Sequence, residues 1–153
     1  MDFSKFDKMV DTAGLEEDIK KAAENNVEFK EVPEGTYEVK VEKMELVEAK
    51  TSGNPMVSIW FKILNGEYKN SMIFYNKVIM GTTNDGFMIH SNNEFLRSME
   101  SGVEVEFHSY SQYAGMLLDI AEAVDGKLEY ALKYGENKQG YKTYEITEVF
   151  EVE

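Results

Sequence analysis

The 153-residue chain has no cysteine, two prolines and two histidines. Without cysteine there are no disulfides and no thiol catalysis, which fits a reducing cytoplasm. His90 and His108 each stand without a second histidine nearby, so no metal-ligand spacing exists. A Gly-Lys-Ser/Thr phosphate loop and a Gly-x-Ser-x-Gly elbow are missing as well. Carboxylates are abundant, and their abundance singles out no acid–base pair. The sequence points away from an enzyme and calls for no cofactor or metal. No apolar run approaches the roughly 20 residues that span a membrane. The opening residues, Met1 to Lys8, alternate charged and apolar types, which is unlike a secretory signal.

Positive charge is also scarce. Sixteen Lys and Arg face 29 Asp and Glu, a formal net charge of -13. The balance is uneven along the chain. Residues 1–59 and 91–126 each carry a net -6 and residues 127–153 a net -2, whereas residues 60–90 carry three lysines and two acids. So acidic a protein is a poor match for sequence-independent binding to a duplex, which needs broad cationic surfaces. A local cationic groove remains compatible with it, because salt screens charges beyond about 10 Å.

One domain is the expected size class, with an N-terminal extension over residues 1–31 and a main domain over 32–153. Residues 3–24 carry apolar positions at helical spacing, interrupted at Gly14. After the Pro33–Gly35 turn a long strand begins, with Tyr37, Val39 and Val41 on one face. Beyond Lys43 the apolar set moves by one residue to Met44 and Leu46, the mark of a bulge. A second strand puts Val57, Ile59, Phe61 and Ile63 on one side and Ser58, Trp60 and Lys62 on the other. The third, over Ser71–Ile79, is apolar on both faces, so its core side is ambiguous. A helix within Phe87–Ser101, a short strand over Val103–Phe107, and a helix carrying Met116, Leu117, Ile120 and Val124 come next. Two strands, over Leu128–Tyr134 and from Tyr141 to about Phe150, close the order. Three strands, a helical region and two strands is the element order of the OB-fold. The expected fold class is therefore α+β, mainly β: a five-stranded OB-fold-like barrel with an N-terminal helical segment and an inserted strand and helix.

Within this acidic chain, aromatic and basic residues interleave in two places. The first holds Trp60, Lys62, Tyr68, Lys69, Tyr75 and Lys77; the second holds Lys138, Tyr141, Lys142 and Tyr144. Rings beside ammonium groups are what a single nucleic-acid strand binds, with bases on the rings and phosphates on the cations. The two stretches are expected to line one groove. An outward Trp60 has two explanations: a base stacks on it, or the first helix or a partner subunit covers it. The end of the chain, Glu148 to Glu153, reads either as the frayed last strand or as an acidic tip that docks on partners.

Four segments carry a family resemblance: Val32-Pro33-Glu34-Gly35-Thr36-Tyr37-Glu38-Val39, Ser52-Gly53-Asn54-Pro55-Met56, Asn65-Gly66-Glu67-Tyr68-Lys69-Asn70 and Gly140-Tyr141-Lys142-Thr143-Tyr144-Glu145-Ile146. Together they resemble a group of small phage and prophage proteins that are similar to phage single-stranded DNA-binding proteins, over roughly residues 32–150. The resemblance implies an OB-fold, single-stranded DNA as ligand, and a place in phage DNA replication or recombination in the host bacterial cytoplasm. Replication and recombination proteins, or further copies of this chain, would be its protein partners. It supplies no contact residues. The rival expectation is an acidic interaction module that offers carboxylates where phosphates would go and inhibits a host or defence enzyme.

Overall fold

The computed structural model describes residues 31–152. The fold below is that of the unit Val32–Glu153; the helix expected over 3–24 lies outside the described residues. Five strands form one antiparallel sheet: β1 (Gly35–Glu48), β2 (Pro55–Ile63), β3 (Met72–Val78), β4 (Leu128–Glu136) and β5 (Lys142–Glu151). Their spatial order is β3-β2-β1-β4-β5. Two helices, α1 (Asp85–Ser98) and α2 (Tyr110–Val124), lie between β3 and β4 in sequence. The class is α+β, as the element pattern implies. The expected barrel does not close through its backbone: the sheet is open, with β3 and β5 as its edges.

Alternation decides which face is buried. Val57, Ile59, Phe61 and Ile63 on β2 are fully buried, as are Val39 on β1 and Tyr130 and Leu132 on β4. Each such side chain removed from water contributes roughly 1.5–3 kcal/mol. The helix α2 supplies the matching apolar stripe: Tyr113, Met116, Leu117, Ile120 and Val124 are buried at i, i+3, i+4 spacing, and α2 packs on β1. Ser109 caps its N-terminus, accepting from the Gln112 amide at 3.0 Å.

The bulge in β1 falls where the phase change placed it. Val41 pairs with Phe61, and the next β2 residue, Trp60, pairs with Lys43. Glu42 is the extra residue. Without the bulge Glu42 would stand opposite Trp60; with it, a lysine does.

The segment 103–107 forms no strand. Val105 is buried, but no neighbouring strand meets this stretch. Side chains take its backbone groups instead. Arg97 Nη2 donates to the Val105 carbonyl at 3.0 Å, and Gln112 Nε2 to that of Glu106 at 3.0 Å. The helix α1 starts earlier than its apolar pattern suggests, because Asn84 caps it, accepting from the Phe87 amide at 3.0 Å. Residues 148–151 belong to β5 and pair with β4, so they form the end of the last strand.

A buried polar chain ties α1 to both neighbours. Tyr75 Oη donates to Asn92 Oδ1 at 2.7 Å, Asn92 Nδ2 to Tyr113 Oη at 2.7 Å, and Tyr113 Oη to Asn93 Oδ1 at 2.5 Å. Every member has a partner, so the network fixes the helix over β3 without leaving an unmatched group.

Candidate functional site

Cross-strand register sorts the ten residues singled out by sequence onto different surfaces. Trp60 and Lys62 face outward on β2, opposite the core face. Tyr75 and Lys77 face inward on β3, since Tyr75 pairs with the buried Ile59 and Lys77 with the buried Val57. The two halves of the ribbon therefore do not share a groove. Tyr68 and Lys69 lie in the β2–β3 turn, where Tyr68 packs edge-on against Tyr37, ring centres 6.2 Å apart, and Lys69 is exposed. Lys138 is exposed in the β4–β5 turn.

The outer face of β1–β2–β3 holds the exposed aromatic pair. Trp60 is 37% and Phe74 48% exposed. They are direct cross-strand partners, with ring centres 5.6 Å apart at 88°. Lys43 Nζ sits 5.0 Å from the Trp60 ring centre, within cation–π range. Lys62 and Lys40 pair across the strands in the next row. Lys43 contacts Glu45 at 3.1 Å and Lys40 contacts Glu42 at 3.7 Å. Such exposed pairs contribute about 0–1 kcal/mol, so another anion can displace the carboxylate. Sequence reasoning missed Lys43 and Phe74. Phe74 was hidden because both faces of β3 are apolar, and Lys43 because its position depends on pairing across strands.

The inner-face residues are held by the protein itself. Tyr75 is 3% exposed and stacks on Phe95 at 4.5 Å, 16° from parallel. Its ring is not available to a ligand as a stacking platform. Burial, with Tyr113 and Tyr144 nearby, pushes its phenol pKa well above the ordinary value. Tyr144 on β5 reaches across the open edge and donates from Oη to the Phe74 carbonyl at 2.6 Å. A side chain thus bridges the gap that no backbone ladder closes. Burial, then Tyr134, raises the Tyr144 pKa to about 12. Lys77 Nζ lies 5.8 Å from the Tyr75 ring and 5.7 Å from that of Tyr144, and burial lowers its pKa. Lys142 Nζ lies 5.4 Å from the Tyr134 ring. Beside these groups, between β3, α1 and β5, is a cleft of about 820 Å³ that Tyr75, Lys77, Tyr141, Lys142 and Tyr144 help to line.

The family model described as "Protein of unknown function (DUF669)" matches residues 18–147. The chain belongs to the DUF669 family. No curated protein and no solved structure matches it. The family match covers all of β1 to β4 and both helices of this DUF669 chain, and with them both surfaces described above. Among the described residues no helix is long and apolar enough to cross a membrane, and no cluster of His, Asp and Glu could hold a metal ion.

Proposed function

We propose that this DUF669 chain binds single-stranded DNA across the outer face of β1–β2–β3, with Trp60 and Phe74 as the stacking platform. The observation that carries the reading is that exposed pair, with Lys43 in its own cross-strand row and Lys62 and Lys40 in a neighbouring one. A single strand has flat bases and a charged phosphate backbone, and this surface offers rings for one and ammonium groups for the other. Each stacked base contributes roughly 1–3 kcal/mol.

The strand order supports the same reading. β3-β2-β1-β4-β5 is the order of an OB barrel left open at its β3–β5 seam. In that fold the outward face of strands 2 and 3 meets oligonucleotides, and Trp60 and Phe74 stand on that face. The resemblance of the four segments named above adds the setting: coating single strands during phage replication or recombination. The acidic remainder of the molecule repels a duplex, so the protein favours a flexible strand that follows a narrow track.

The platform can be tested by substitution. Trp60→Ala removes one ring from a surface position and should lower affinity for labelled oligo-dT by about tenfold or more, following the stacking energies above. Lys43→Glu and Lys62→Glu should each weaken binding and flatten its salt dependence. Fluorescence anisotropy reads affinity, and circular dichroism checks that the fold survives. Unchanged affinity in all three variants would move the site elsewhere.

A further inference from the structure

The cleft at the β3–β5 seam takes no part in the outer platform, yet it is built from the same chemistry. Its volume of about 820 Å³ falls within the ~300–1,000 Å³ of small-ligand sites. Two lysines, Lys77 and Lys142, line it. Lys77 Nζ lies near the Tyr75 and Tyr144 rings, and Lys142 Nζ near that of Tyr134. Tyr141 stands at the mouth, 71% exposed. Its loop is preorganised: the Asn137 amide donates to the Tyr141 carbonyl at 2.9 Å, and Asn137 Oδ1 accepts from the Gln139 and Tyr141 amides, both at 3.0 Å. Two acids, Glu94 and Glu145, share the lining; Glu94 is held by Arg97 at 2.8 Å, and Glu145 is exposed.

We infer that this cleft is a single-nucleotide site, with the base on Tyr141 beside Tyr144 and the phosphate between Lys77 and Lys142. The nucleotide comes either from the bound strand, led over the β3 edge from Phe74, or from free solution. The strand-borne form rests on the reading above; the free form stands without it. The two lysines suit a phosphate, and the volume has room for one nucleotide. A duplex would be too wide for a seam that Tyr144 already bridges to Phe74.

Photocrosslinking separates the two sources. The full chain is irradiated with free 5-iodo-dUMP, and separately with oligo-dT carrying 5-iodo-dU, and labelled peptides are mapped. The expected result is label on Tyr141 or Tyr144 from at least one probe. Lys142→Glu, at an exposed position, should cut that yield about tenfold, the worth of one charged hydrogen bond. Label from the free probe identifies a solution nucleotide; label from the oligonucleotide alone identifies a nucleotide of the strand. If both probes leave residues 141–144 unlabelled, the inference is overturned. In that case oligonucleotide label at Trp60 or Phe74 would still leave the outer-face reading standing. Free-probe label in the cleft, with no oligonucleotide bound anywhere, would keep the inference and remove that reading.

Discussion

At the scale of the residue, exposure separates side chains of similar chemistry into solvent-facing and structural. Trp60 and Tyr75 both belong to the aromatic-basic ribbon, but only Trp60 shows its ring to solvent. The orientation of Trp60 was legible because β2 alternates cleanly, apolar against polar. That of Tyr75 was not, because Ile73 and Tyr75 alternate with Met72 and Phe74, and apolar residues on both faces give no phase. The distinction has a measurable consequence. Tyr75→Phe deletes the hydroxyl that donates to Asn92 Oδ1 and leaves a buried acceptor without a partner. Urea unfolding should show a loss of about 1–3 kcal/mol, while oligo-dT affinity stays at the wild-type value. Lost affinity at unchanged stability would return Tyr75 to the binding surface.

At the scale of the element, turns and bulges decide what the strands display. The phase change after Lys43 made the β1 bulge legible, but its effect, setting Lys43 rather than Glu42 opposite Trp60, needed the β1–β2 register. That register depends on contacts between distant parts of the chain. The alternating segment 103–107 misled for the opposite reason: its period is that of a strand, but no neighbour offers a ladder. The Gly53-Asn54-Pro55 turn gains a structural reason. Asn54 packs against Gly81, which has φ +74, and a Cβ added at Gly81 would run into the Asn54 carboxamide. Gly81→Ala should therefore destabilise by at least about 1–2 kcal/mol, from the left-handed backbone alone. Thermal unfolding followed by circular dichroism checks this; an unchanged midpoint would mean that the turn relaxes at no cost.

At the scale of the whole molecule, the order of the five strands and two helices was readable in the sequence, apart from the strand expected over 103–107, while the open seam was not. Backbone closure between β3 and β5 is a long-range matter, and here Tyr144 spans the gap with one hydrogen bond to Phe74. Burial of tyrosines around that seam and in the core also sets the alkaline limit of the fold. Tyr144 is raised from 10.0 to about 12, and Tyr75, Tyr113 and Tyr130 are raised as well, by burial first in each case. A folded-state value above the unfolded one favours the folded state fully below pH 10, and this contribution disappears as pH rises through the folded value. The tyrosine contribution to the urea midpoint should therefore be flat from neutral pH to about 10 and fall steeply toward about 12. A midpoint that holds level to pH 12 would contradict the buried, hydrogen-bonded placement of these phenols.

The central claim, that the Trp60 face receives single-stranded DNA, has a reporter built into the chain, because Trp60 is its only tryptophan. Titrating oligo-dT into the protein at low salt and following tryptophan fluorescence tests it most directly. Saturable quenching at micromolar protein is the expected result, as a base stacks on the indole. The quenching should weaken as salt rises, with a log–log slope of about -0.7 per phosphate contacted, and duplex DNA should produce little of it. Fluorescence that stays constant through micromolar oligo-dT at low salt, with no change in oligonucleotide anisotropy, would contradict it.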